Sequence, residues 1–169
     1  YLKSPLIFPS GTTVSLRNSI AASDCMDGDI SGSVKMYLTD TALLNTVGTW
    51  HVKLSVSNSM GDTVTVTVPF TVEPQNAQEK EKAPAILLSD YMIYLKKGEA
   101  FDPAAYLEGV RYAGESTVRK DAEALSAVRI GGEISSDEAG VYTVTYTCEK
   151  DGAAGKTVLL VVVEEEKAA

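Results

Sequence analysis

The stretch from Gly48 to Val72, GTWHVKLSVSNSMGDTVTVTVPFTV, recurs near the end of the chain as Gly140 to Val163, GVYTVTYTCEKDGAAGKTVLLVVV. In the first copy Trp50, Val52, Leu54 and Val56 alternate with His51, Lys53, Ser55 and Ser57. After Asn58-Ser59-Met60-Gly61-Asp62, the residues Val64, Val66, Val68 and Phe70 alternate with threonines. A period of two marks half-buried antiparallel strands, and Gly61 can take the positive φ that a tight turn needs. Each copy therefore predicts a β-hairpin. Gly48 matches Gly140, Trp50 matches Tyr142, Val52 matches Val144 and Leu54 matches Tyr146. After a two-residue insertion in the second turn, Val64, Val66 and Val68 match Val158, Leu160 and Val162. A repeat offset of about ninety residues in a chain of 169 predicts two small domains, residues 1–74 and 84–169. The linker between them, 75–83, reads QNAQEKEKA, with four charges and no apolar period.

The rest of the chain agrees with an all-β class. Tyr1 to Phe8 reads as an edge strand, since Pro5 and Pro9 cannot donate to a ladder on both sides. Gly11 to Leu16, Ile30 to Leu38, Ala85 to Leu88, Met92 to Leu95 and Val128 to Ile134 supply further short strands. Asp102 followed by Pro103 predicts one capped helical turn, and Asp121 to Val128 is too short to hold a helix alone. The chain starts mid-pattern at Tyr1, without a leading strand equivalent to Ala85 to Leu88. It is therefore expected to be a fragment of a longer protein with its first strand truncated.

The net charge of −8 and a pI near 4.7 argue against nucleic acid as a partner, because phosphate binding needs clustered Lys and Arg. The longest apolar run, Val158 to Val163, is far short of the roughly 18–20 residues that cross a bilayer, so no membrane insertion is expected. Cys25 and Cys148 fall in different repeats, which predicts two free thiols and a disulfide-free fold.

Asp24, Asp27 and Asp29 form the one constellation with ligand-like spacing. Three carboxylates on a turn can hold a hard cation such as calcium, which takes six to eight oxygens. The same residues can instead accept backbone N–H bonds within the turn. His51 is the sole histidine and sits on the outward face of its strand with no nucleophile motif nearby, so no catalytic residues and no enzymatic activity are expected. The acidic neighbours of Cys25 disfavour a thiolate. Tyr37, Tyr91, Tyr94 and Tyr112 are the aromatics placed where a sugar ring can stack. Trp50 and Tyr142 are expected to anchor the two cores, so that Trp50→Ala unfolds or nearly unfolds the first domain.

Ser23 to Val34, SDCMDGDISGSV, followed by a Gly-x-Trp/Tyr-x-Val strand, a turn and a Thr/Val-rich last strand, resembles the bacterial immunoglobulin-like repeats with a DGDI signature. The second half resembles them too, but offers Lys120-Asp121-Ala122-Glu123 where DGDI would lie. Glu138 to Val144 also resembles the approach to the penultimate strand of immunoglobulin domains, with Val144 in place of the usual Cys. The resemblance implies two tandem, disulfide-free immunoglobulin-like β-sandwiches. Such repeats occur in secreted and surface proteins, including adhesins, multidomain glycosidases and some insecticidal crystal toxins. It further implies an extracellular or cell-surface location and a role as non-catalytic spacer or adhesion modules. The implied partners are other domains of the parent protein and a host or matrix protein or glycan. Accessory carbohydrate-binding modules of a secreted glycan-active enzyme are the alternative.

Overall fold

The computed structural model describes residues 1–12, 14–38, 46–74 and 81–165. Most of the expected linker, residues 75–80, lies outside them. The chain divides into two compact units, Tyr1–Gln75 and Asn76–Ala169. The structure is all-β, and both cysteines are free thiols, Cys25 exposed and Cys148 buried. Among the described residues no helix is long and apolar enough to cross a membrane.

The first unit contains β1 (Ile7–Pro9), a helical turn at Leu16–Ser19, the short strands β2 (Ser23–Asp24) and β3 (Gly28–Asp29), a 3-10 turn at Ser31–Ser33, β4 (Lys35–Leu38), β5 (Gly48–Ser57) and β6 (Thr63–Glu73). The hairpin read from the sequence is its centre: β5 and β6 pair antiparallel from Gly48 opposite Val72 to Ser57 opposite Thr63. Gly61 takes a φ of +91° in the connecting turn. β4 flanks β5, and β1 runs parallel to β6 at the other edge, giving the order β1-β6-β5-β4. Pro9 thus sits on an edge, where its missing N–H leaves no gap in the ladder. The buried face carries Val52, Leu54, Val68, Phe70 and Val72.

Two expectations change here. Leu16 is helical rather than extended, with both Leu16 and Ser19 of that turn buried. The expected Tyr1 to Phe8 strand is divided, with only Ile7–Pro9 pairing with β6. Leu2 bridges Ile20, and Ala21 and Tyr1 exchange main-chain contacts.

The second unit comprises β7 (Ala85–Leu88), β8 (Met92–Lys96), a 3-10 turn at Pro103–Tyr106, β9 (Leu107–Arg111), a helical turn at Ala122–Ser126, β10 (Arg129–Gly131), β11 (Gly140–Lys150) and β12 (Ala153–Glu164). As the sequence predicts, Asp102 accepts from the Ala104 N–H at 3.0 Å and caps its turn; Asp121 also accepts, from the Ala124 N–H at 3.1 Å, and caps the short turn after it. The large sheet has the order β10-β11-β12-β8, with β8 parallel to β12. This repeats the first unit's plan strand for strand. The β7–β9 pair lies across the core from it: Ile86, Leu88 and Val110 cluster with Val144, Tyr146, Leu159, Val161 and Val163.

The pairing register revises the match between the repeats. Val52 stands opposite Val68, and its counterpart Val144 stands opposite Leu159, so Val68 corresponds to Leu159 and not to Val162. The second turn is shorter, not longer: Lys150 pairs with Ala153, leaving only Asp151-Gly152 between the strands. Their φ values of +51° and +78° suit a two-residue hairpin turn of the primed kind. The apolar alternation misleads because β12 is buried on both faces from Thr157 to Val163, and a continuous apolar run does not mark which parity faces the core.

The aromatic anchors also move. Trp50 and Tyr142 are only half-buried. The fully enclosed rings are Phe70, opposite Trp50, and Tyr146, whose hydroxyl donates to the Pro103 carbonyl at 2.7 Å. Burial pushes the Tyr146 phenol up to about 12. Trp50 and Tyr142 instead form matching corners. Trp50 Nε1 donates to the Thr46 carbonyl and the Tyr142 hydroxyl to the Glu138 carbonyl, both at 2.9 Å and both four residues back. Each ring lies over the glycine that opens its strand, Gly48 or Gly140. This is the tyrosine-corner device of immunoglobulin-like sandwiches, made once with indole and once with phenol.

Candidate functional site

Asp24, Asp27 and Asp29 lie on the β2–β3 ribbon and its turn, where Gly28 takes a φ of +71°. Their carboxylates are engaged within the fold. One Asp24 oxygen accepts from the N–H groups of Met26 and Asp27 at 2.8 and 3.2 Å, and the other from Asn58 Nδ2 at 3.3 Å. Asp29 accepts from the Ser31 N–H at 2.9 Å and from its hydroxyl. The Met26 and Asn58 donors hold the Asp24 carboxyl below the usual range, and the Ser31 donors do the same for Asp29.

Asp27 makes two long-range bonds, accepting from the Ser59 N–H at 2.6 Å and the Ser59 hydroxyl at 2.7 Å across 32 positions of sequence. The DGDI turn is thereby latched to the tip of the β5–β6 hairpin. That tip is also held from within, because Asn58 Oδ1 accepts from the N–H groups of Met60 and Asp62. The donor set does not fit a calcium ion. The aspartate oxygens face N–H and O–H donors, and among the described residues no three His, Cys, Asp or Glu side chains gather around a common centre. Sequence reasoning identified the aspartates but not their partners Asn58 and Ser59, which adjacency in sequence does not signal.

The other candidates scatter. His51 is exposed on β5 opposite Pro69. Cys25 is exposed within the ribbon turn. Tyr37 is exposed on the edge strand β4, Tyr94 is partly exposed on β8, and Tyr91 packs against the second core. Burial, with Glu164 adding to it, raises the Tyr94 phenol.

Tyr112 differs from these. It lines a cleft of about 260 Å³ at one end of the second unit, with Lys82, Ala113, Glu115, Arg119, Lys150 and Asp151 around it. Three backbone devices bring these residues together. The first is the turn from Tyr112 to Glu115, closed by the Glu115 N–H to Tyr112 carbonyl bond at 3.1 Å. The second is the reciprocal Val110–Arg119 bridge, and the third is the Asp151-Gly152 hairpin turn. Arg119 Cζ lies 5.8 Å and Lys150 Nζ 5.5 Å from the Tyr112 ring centroid, within cation–π range.

The Arg119 guanidinium is fixed by both Asp121 oxygens, at 2.9 and 3.0 Å, and by Glu123 at 3.3 Å. These carboxylates raise its pKa, and Arg119 in turn lowers that of Asp121. Partial burial, followed by the neighbouring Cys148, pushes the Tyr112 phenol up, which keeps it a protonated donor. Of this cluster the sequence singled out Tyr112 alone. The Asp-Gly pair that places Lys150 at the rim is the signal that could have found the rest.

No family model matches the chain and no curated relative matches it. Among solved structures it is similar to a lipoprotein from Bacteroides thetaiotaomicron, at 24% identity over 51% of this chain and 40% of that one, with a TM-score of 0.39. The chain thus spans less than half the length of that lipoprotein. It is also similar to the EC1-2 region of human protocadherin-24, at 12% identity over 95% and 94% of the two chains, TM-score 0.26. An endo-fucoidan hydrolase of glycoside hydrolase family 107 is similar at 12% identity over 96% of this chain and 28% of that one, TM-score 0.26.

Proposed function

We propose that the chain is a pair of non-catalytic immunoglobulin-like modules from a larger exported bacterial surface protein, acting as a spacer or adhesion stalk that sets the reach and orientation of its other domains. The observation that carries this reading is the latch of Asp27 onto Ser59. The residues with the most chemistry-like spacing brace a loop against a hairpin instead of presenting reactive groups. The two aromatic corners point the same way, since each ties the start of a long central strand to the chain before it. Polar groups arranged to stiffen a sandwich suit a mechanical role.

Force spectroscopy on the whole chain tests it. Stretching between terminal handles is expected to give two unfolding events. At about 3.5 Å per extended residue they release roughly 26 and 33 nm, for units of 75 and 94 residues. Asp27→Ala is expected to lower the force of the shorter event only. A featureless extension of the kind a flexible polymer gives would refute the reading.

A further inference from the structure

The cleft at Tyr112 differs in kind from the DGDI turn. There each aspartate is engaged by donors of the fold, whereas here charged groups converge with no such engagement. The side chains of Lys82, Glu115, Lys150 and Asp151 make no hydrogen bond or ion pair with any described residue, and the Lys150 ammonium lies by the Tyr112 ring. Arg119, by contrast, is neutralised by Asp121 and Glu123 and serves to fix the ring's surroundings. Tyr112 packs in part on the core and lines the cleft together with the ammonium groups of Lys82 and Lys150 and the carboxylates of Glu115 and Asp151. Loop ends of sandwich folds are where such modules hold ligands, because the sheets position the loops rigidly.

We propose that this cleft binds an acidic saccharide, through a single ring bearing a carboxylate or sulfate. Lys150 and Lys82 pair with the anionic group, which a lysine takes as a point charge without demanding a bidentate geometry. Tyr112 supplies an apolar wall of the cleft and holds the Lys150 ammonium beside it. Glu115 and Asp151 accept hydrogen bonds from ring hydroxyls, being acceptors only when ionised. These two carboxylates are the reason the ligand is a polyhydroxylated acid and not an acidic peptide: they repel a bare run of carboxylates but complement hydroxyl groups flanking one anion. The spacer reading does not depend on this site and stands or falls on force measurements.

Titration of the full chain with a galacturonic acid trimer, a heparin-derived disaccharide, a neutral glucose trimer and hexaglutamate, followed by calorimetry and amide chemical shifts, tests the proposal. At least one acidic saccharide is expected to bind at least tenfold more tightly than the neutral trimer and hexaglutamate, and the uronate and sulfate arms identify which anion is preferred. Shifts should be confined to Lys82 and the 112–119 and 150–152 segments. Lys150→Gln is expected to weaken binding at least tenfold. Tyr112→Phe should hold within about threefold, while Tyr112→Leu loses tenfold or more. Should Tyr112→Leu fail to fold, Lys150→Gln and Lys82→Gln, both at the surface, carry the test. Absence of saturation by either acidic saccharide at millimolar concentration would overturn the proposal. So would equal binding of hexaglutamate or of the neutral trimer, or indifference to the Lys150 substitution.

Discussion

Phe70→Ala tests where the first core lies. Phe70 is 1% exposed and stands opposite Trp50 in the β5–β6 ladder, beside the buried Val52, Val68 and Val72. Truncating an enclosed phenylalanine costs about 3–5 kcal/mol, because the lost transfer energy is joined by that of a cavity the neighbours fill only in part. A unit of 75 residues has roughly 4–11 kcal/mol of stability at about 0.05–0.15 kcal/mol per residue. The substitution is therefore expected to remove about a quarter or more of the total, and in the lower part of that range all of it. The chain contains one tryptophan, Trp50, in the first unit, so its emission on selective excitation reports on that unit alone. With a urea slope of about 1 kcal/mol/M for so small a unit, the midpoint of the Trp50 transition should fall by about 3 M, or the variant should be unfolded without urea. A shift of less than about 1 M would refute the core assignment. Trp50→Ala, read by circular dichroism, is expected to cost less than Phe70→Ala, because the indole is half-buried and its one polar bond is to the Thr46 carbonyl.

The second unit offers two further tests. The Tyr146 phenol titrates at about 12 in the fold, against about 10 in the unfolded chain. Its contribution is therefore complete below pH 10 and is lost as pH rises from 10 through 12. Alkaline melts should fall more steeply for the parent than for Tyr146→Phe, which lacks the ionisation but starts lower for want of the bond to Pro103; parallel pH profiles would contradict this. Gly155→Ala should destabilise the second unit by about 1–3 kcal/mol or more, because the added Cβ would fall 1.8 Å from the Pro84 carbonyl oxygen. An unchanged melt would mean that Pro84 does not lie against β12.

Local physics made much of this protein legible from its residues. Strict alternation marked β5 and its copy as strands, since successive side chains of a strand face opposite ways. Gly61 located the first hairpin turn, and the cap at Asp102 followed from the short side chain's reach to a nearby N–H group. The recurrence of a glycine and an aromatic at the head of each long strand announced two similar units. Other features rested on residues far apart in sequence. Alternation gives a face but not a partner, so the equivalence of Val68 with Leu159 had to come from the ladder itself. Trp50 and Phe70 face each other across the ladder, so alternation alone could not say which of the two rings is enclosed. The roles of Asp27 and Tyr112 were likewise decided in three dimensions. A carboxylate takes the donors that folding brings to it, here Ser59 of a distant turn, and the ring became a candidate site only when separate turns placed Arg119 and Lys150 beside it.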